Sequence, residues 1–393
     1  MNRIQINRVK KEYKNDAHRA VAPEKTLDLI KPSVQKAGVK DLLCLTEADG
    51  INIPVYSAVR PRAVWGGTRF CTGKGVSTNE AKASAMMEAV ERFSAEYRGE
   101  EMKFASYEQI GLTKALDPKD LILPRDVQTG EEMHWVFAWD ILGDDDMYIP
   151  ANAVFHPYDP LGMAQQLFRS NTNGLAAGNT PEEAVLYGIY EVIENDALSC
   201  AQNGRFLGKK LIIDTQGPLK NLCKRYEENG IRINMWYIEG KTKVPTIAAS
   251  SDDTVTKEPG LLVTGMGSNL NPEIAAIHAL TEIAQRRADD IKGYRENRTR
   301  KSIVEKAGYD RLKRINRIWF PETDTKEEIK ISEIPDSSTD YIDEDIKIIL
   351  DRISGLSEHV FIYFLSKTEI PVARVVIPGF EVSCIDPTRK KML

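Results

Sequence analysis

β-Branched and aromatic residues recur along the chain in one arrangement that appears four times: two apolar runs joined by a short polar turn, the second opening on Ile-Pro or Val-Pro. The runs are 42–45 before Ile53-Pro54, 135–139 before Ile149-Pro150, 233–237 before Val244-Pro245 and 361–364 before Ile370-Pro371. Proline has no N–H to give a ladder and belongs at the start of a strand, so each pair predicts a β-hairpin. The stretch 219–229, with Gly230 after it as a C-cap signal, predicts an amphipathic helix ahead of the third hairpin.

After each of the first three hairpins comes a glycine-bearing loop and then a helix start. The loops run from Thr72-Gly-Lys-Gly, Asn173-Gly-Leu-Ala-Ala-Gly and Thr264-Gly-Met-Gly. Ser77 with Glu80, and Thr180 with Glu183, have the spacing of capping boxes, while Asn271 caps a helix opened by Pro272. Counted from these caps, Glu88, Glu191 and Glu282 each stand 11 positions on, and three further on come Glu91, Glu194 and Gln285. Residues three apart share a helix face, so each helix carries a two-pronged claw at the same height. One Glu-x-x-Glu is ordinarily surface decoration. Three at matched offsets, flanked by Ala85, Val90, Leu186, Ile189, Ile193, Leu280 and Ile283, predict largely buried helices whose acids must be paired or hold a cation.

Composition narrows the chemistry. At 393 residues and 42% apolar, the chain can bury a large core, and no run of about 18 apolar residues suits a membrane span. The N-terminus has no apolar segment for a signal peptide, which predicts a cytoplasmic protein. Net charge is −5, which gives no support for nucleic-acid binding. The basic cluster Arg311, Lys313, Arg314 and Arg317 reads as one solvated helix face. Five scattered cysteines form no CxxC pair and read as small core residues. The five histidines have no metal-ligand spacing, and His278 reads as a core histidine. Neither Gly73-Lys74-Gly75 nor Gly265-Met266-Gly267 completes a Walker or Rossmann fingerprint, and no GxSxG is present.

A ring of glutamates suits a triphosphate only when divalent cations lie between them, and magnesium is commonly shared by carboxylates and phosphate oxygens. Glu88, Glu91, Glu191 and Glu194 are then candidate ligands, with Arg92, Gln285 and Arg287 meeting phosphates or neutralising carboxylates. Glycine loops ahead of the helices offer backbone N–H groups to anions. A structural alternative pairs the same glutamates with Arg92, Arg286 and Arg287 across a packed three-helix core. From the residues alone both readings stay open.

The stretch from Thr72-Gly-Lys-Gly through Ser84 and Glu88-Ala-Val-Glu91-Arg92 resembles the YcaO signature SxxxExxER. Asn179-Thr-Pro-Glu-Glu183 through Glu191-Val-Ile-Glu194, and Glu282-Ile-Ala-Gln285-Arg-Arg287, resemble that family's second and third ATP motifs. The segments Arg19–Thr26 and Ile377-Pro-Gly-Phe-Glu381 are also similar to it. The resemblance implies an α/β, YcaO-type ATP-binding fold, with repeated hairpins and helices packed on mixed or antiparallel sheet. It implies one domain over 1–393, its ATP motifs at about 70–290 and its C-terminal part, about 295–393, closing the fold. The implied metal set is Glu88, Glu91, Glu183, Glu191, Glu194 and Glu282. ATP is implied to be met by Arg19, Thr26, Lys74, Ser84, Arg92, Asn179, Glu183, Gln285 and Arg287. Asn195 stands where the family often has arginine and receives no role.

Family members use ATP and Mg2+ to phosphorylate a backbone amide oxygen, turning a poor leaving group into a good one. The chain ends without the PxPxP tail of azoline-forming members, and so resembles the stand-alone archaeal members that install a thioamide. The activity implied is thioglycine formation, as in methyl-coenzyme M reductase, with an external sulfide donor and a TfuA-type partner in some members. A homodimer is implied on the same grounds. The rival readings are an azoline-forming cyclodehydratase and a non-catalytic ATP-binding accessory protein.

Overall fold

The computed structural model describes residues 3–159, 164–294, 298–321 and 327–390. Parts of the charged stretch 295–345 and the last three residues of the tail thus lie outside the described residues. β1 (Asp41–Cys44), β2 (Val55–Val59) and β3 (Phe70–Lys74) form an antiparallel sheet in that order. β4 (Lys103–Ser106), β5 (Glu132–Asp140), β6 (Asp145–Pro150) and β7 (Leu175–Ala177) belong to a second sheet. A third, ordered β11-β10-β9-β8-β12, contains β8 (Lys209–Ile212), β9 (Ile231–Ile238), β10 (Thr246–Asp253), β11 (Val263–Ser268) and β12 (Glu328–Lys330). β13 (Phe361–Phe364) and β14 (Val372–Val376) complete the second sheet, β4-β5-β13-β14-β7, with β6 on β5. The architecture is the expected mixed α/β one, antiparallel except where β12 joins β8 in parallel.

All four predicted hairpins form, as β1–β2, β5–β6, β9–β10 and β13–β14. In three the second strand starts just after its proline. The exception is β6, which begins at Asp145 and ends at Pro150, opposite Trp135. Its first residues are acidic, Asp145 exposed and Asp146 half-buried, so an apolar run could reveal only its buried end.

The same strand-then-helix unit recurs three times: β3 leads into Thr78–Ala95, β7 into Pro181–Asn203 and β11 into Pro272–Lys292. Ser77 and Glu80 close a full capping box, and Asn271 accepts from Ile274 N–H at 3.0 Å. Thr180 accepts from Glu183 N–H at 3.2 Å, but the Glu183 carboxylate does not return the bond. It turns instead to Arg19, the Ala20 N–H and Asn179.

Glycines ahead of these helices also serve packing. A Cβ on Gly73 would lie 1.9 Å from the Ala85 nitrogen, and one on Gly265 or Gly267 would lie 2.1 Å from the Ala279 or Ala275 oxygen. Strand and helix backbones touch there, and the facing alanines are fully buried. Close contact fixes how far along its strand each helix sits.

The predicted helix at 219–229 is observed as Pro218–Glu228, with Gly230 at φ +70° after it. Its Tyr226 hydroxyl donates to Leu280 O at 2.6 Å, tying it to the third unit's helix. Two surface readings change. Lys313 leaves the solvated face to pair with the buried Asp252 at 2.7 Å, while Arg311, Arg314 and Arg317 stay exposed. Of the five cysteines, all free, Cys71 alone is fully buried, and Cys44 and Cys200 are exposed. No helix among the described residues is long and apolar enough to cross a membrane.

Gly73→Ala should lower the unfolding free energy by about 3 kcal/mol, because the methyl meets backbone that cannot step aside. Urea denaturation reads this directly, and an unchanged midpoint would contradict the backbone contact.

Candidate active site

The three helices converge on one cavity of roughly 390 Å3, a size suited to a small ligand. Equal offsets from the caps give it levels. Three positions in stand Glu80 and Glu183; seven in, Ser84, Tyr187 and His278; eleven in, Glu88, Glu191 and Glu282; fourteen in, Glu91 and Glu194. All of these line the cavity. At 1.5 Å per residue the upper acids stand about 12 Å along the helix axes from the lower ones.

At the lower level the acids face one another within and across helices. Glu91 feels the charge of Glu88 on its own helix, while Glu191 feels Glu91, and Glu194 feels Glu282, from a neighbouring one. Burial, with these like charges adding to it, pushes Glu91 up to about 7 and holds Glu191 and Glu194 well above the usual carboxylate range. Glu282 lies below that range despite its burial, because Arg286, at 2.6 Å, and Lys74 stabilise its charge. The Glu194/Glu282 pair therefore keeps its proton on Glu194.

Other contacts hold the acids apart. Glu88 meets Arg92 at 3.3 Å, Glu91 accepts from Ala177 N–H at 3.2 Å, and Glu282 accepts from Met266 N–H at 2.7 Å. The structural alternative is thus partly realised, by Arg92 and Arg286 acting within their own helices. Among the described residues no three acids or histidines are drawn into a ready-made metal cluster. The donor set nonetheless fits Mg2+: hard carboxylate oxygens from three helices, with burial and mutual repulsion that a cation would relieve. Lys74, whose pKa burial lowers, and Ser84 also line this region.

The upper level is built differently. Arg19 lies 3.6 Å over the Tyr187 ring and meets Glu183 at 3.0 Å, and the Thr26 hydroxyl donates to Asn179 at 2.9 Å. Glu183 is buried with both oxygens engaged, two helical turns before Glu191 on the same helix, and lines the cavity with the other acids. Sequence reasoning missed Tyr13, Asp16, Glu80, Tyr187 and His278. Tyr13 bonds Asp16 at 2.6 Å and Glu80 at 3.2 Å, and all five line the cavity. The cap offsets could have found Glu80, Tyr187 and His278; no periodicity marks Tyr13 or Asp16. His278 is a cavity residue rather than a core one, its pKa pushed down to about 3 by burial and then by Lys74 and Arg19.

Two expected phosphate groups stand outside the cavity. The Gln285 side chain donates to Thr72 O, tying the third helix to β3. Arg287 is buried and paired at 3.1 Å with both Asp49 and Asp253. At 100° per residue it points about 200° away from Gln285, so it cannot share the claw face.

Against known proteins, the family model described as YcaO cyclodehydratase, ATP- and Mg2+-binding, matches residues 72–381. The chain belongs to the YcaO family. ATP and Mg2+, read from the sequence, are the ligands in that family's description. This YcaO chain is 41% identical over 376 residues to an uncharacterized protein of Methanothermobacter thermautotrophicus, covering 94% of this chain and 97% of the relative. It is 28% identical over 395 residues to an uncharacterized protein in the tfuA 3′ region of Rhizobium leguminosarum bv. trifolii, covering 94% and 90%. Its fold matches YcaO from Methanopyrus kandleri bound with AMPPCP and Mg2+, at TM-score 0.81 and 29% identity over 98% of both chains. A heterocyclase in complex with substrate and cofactor shares the fold at TM-score 0.81 and 20% identity, over 96% of this chain and 54% of that one.

A cation binding at the lower level of this YcaO site must displace protons from raised carboxyls, so its affinity should rise as pH climbs through about 7, where Glu91 titrates. Calorimetry of Mg2+ and a nonhydrolysable ATP analogue at pH 7, in buffers of differing ionisation heat, should show proton release. Net release near zero would contradict protonated acids.

Proposed function

We propose that this YcaO protein uses Mg2+-bound ATP to activate a peptide backbone amide by O-phosphorylation, so that sulfide can convert it to a thioamide. The observation that carries the proposal is the convergence of Glu88, Glu91, Glu191, Glu194 and Glu282, from three helices, on one cavity. In that reading these five glutamates hold the metal ions, with Glu183 left to position Arg19. Lys74, Ser84 and Arg92 lie beside the phosphates, and Arg19, Thr26 and Asn179 form the nucleoside end. Arg287 and Gln285 brace the third helix and touch no phosphate.

When bound, ATP supplies the phosphoryl group and Mg2+ offsets the charge that builds as it moves. The balance is one amide, one ATP and one hydrosulfide giving one thioamide, one ADP and one phosphate, the amide oxygen leaving in the phosphate. The chain's part is positioning and charge compensation.

The thioamide reading draws support from the 41% identical relative in Methanothermobacter thermautotrophicus and the 28% identical one in a tfuA region. It takes as substrate a glycine-containing segment of a protein such as methyl-coenzyme M reductase. An external sulfide donor, a TfuA-type partner and a homodimer belong to the same reading. The family model's cyclodehydratase description favours a second one, azoline formation.

Anaerobic incubation with MgATP, sulfide and a glycine-containing peptide separates them by mass spectrometry. Thioamidation exchanges one oxygen for one sulfur, whereas azoline synthesis removes one water from a Cys or Ser peptide without sulfide. Glu191→Gln and Glu88→Ala should each cut ATP turnover by roughly 100-fold or more while the protein stays soluble. Full turnover in either variant would show that the glutamate assignment is wrong.

A further inference from the structure

A second, smaller cavity lies between β14, the second unit's helix and the segment 377–389, with a volume of about 40 Å3. Two arginines line it, Arg374 and Arg389, only 2% and 7% exposed. Arg374 donates through Nε to Ala153 O and through Nη2 to Asn171 O, each at 2.8 Å. Its Nη1 is buried without a partner, and so is Nδ2 of Asn171, which lines the same cavity. Arg389 spends its donors on Ile122 O at 3.0 Å and Leu121 O at 2.5 Å, and its guanidinium lies 3.7 Å from the Phe168 ring centre.

Neither guanidinium makes an ion pair with a carboxylate among the described residues. Buried charges without a counter-charge are costly, and so are buried donors without acceptors. Burial lowers the Arg374 pKa to about 10, with repulsion from Arg92 and Arg389 adding to it and Glu191 opposing. Glu191 lines the other cavity, and in the functional reading above its charge serves a metal ion. Glu381 and Asp386 attract Arg389 from a longer range, as Glu191 and Glu91 attract Arg374, but no carboxylate hydrogen-bonds Nη1 of Arg374.

We propose that this cavity is a buried site for one small inorganic monoanion, of chloride or hydrosulfide size, held by Arg374 Nη1 and Asn171 Nδ2. A water needs roughly 10–15 Å3 on this scale, so the space takes a compact ion with one or two waters and excludes nucleotide and peptide. Hydrosulfide is the occupant that links the site to chemistry. Arg374 stands between this cavity and the acid ring, and the amide conversion consumes that ion. This assignment of the occupant rests on the thioamide reading, whereas the anion site does not.

Bromide is the probe. Crystals of the full chain grown in bromide should show an anomalous peak within hydrogen-bond reach of Arg374 Nη1 and Asn171 Nδ2, whereas waters alone there would overturn the site. In solution, bromide should raise the melting temperature by about 2 °C over gluconate at equal ionic strength. Equal melting temperatures would count against the site whatever the variants do. Asn171→Asp keeps the oxygen that accepts from Asn173 N–H at 3.1 Å and replaces the unpartnered donor by an acceptor. It should lose both the peak and the bromide shift, because the new carboxylate takes the place of the anion beside Arg374; retention of both would overturn the assignment. Anaerobic sulfide in excess should then displace the bromide peak. A peak that persists undiminished would overturn hydrosulfide as the occupant and leave amide thioamidation to be judged by its own assay.

Discussion

Carboxylates that face one another in a buried cavity repel, and the scaffold of this protein is arranged to hold them there. At an effective dielectric of about 20, two unit charges 4 Å apart repel by about 4 kcal/mol. Part of that is relieved by protons on Glu91, Glu191 and Glu194, and part by Arg92 and Arg286. Neither remedy is complete. The acids come from three different helices, so their backbones cannot separate without moving a whole helix. Such a ring is stable chiefly as a receptor for cations, and a cation so held can in turn hold a triphosphate.

The scaffold resists the repulsion through backbone contact. Gly73 against Ala85, and Gly265 and Gly267 against Ala279 and Ala275, bring strand and helix closer than any side chain allows. That fixes the axial position of each helix, and equal offsets from the caps then bring the claws to one height. Further ties act between units: Gln285 to Thr72, Tyr226 to Leu280, and Arg287 to Asp49 and Asp253. These groups keep the site in shape from outside the cavity lining.

Much of this was legible because helix starts are local events. A cap and the eleven residues after it fix where a side chain points, so Glu88, Glu191 and Glu282 could be aligned without knowing how the helices meet. Arg287 shows the same rule read too loosely, since its motif position suggested a phosphate contact while its helical angle turns it the other way. The partners of Glu183 could not be read the same way, since Arg19 and the Ala20 N–H arrive from more than 160 residues away. Tyr13 and Asp16 come from an irregular segment with no period to read. The packing role of the glycines was not legible, because a loop glycine and a packing glycine look alike until the facing helix is in place.

The central claim is that these glutamates share divalent cations with a bound triphosphate. Crystals grown with Mn2+ and a nonhydrolysable ATP analogue, measured for manganese anomalous scattering, test it most directly. The expected result is manganese coordinated by members of the Glu88, Glu91, Glu191, Glu194 and Glu282 set, with the base near Asn179. Manganese bound elsewhere, or a nucleotide seated in the cavity with those carboxylates still turned to Arg92, Arg286 and the backbone, would contradict it.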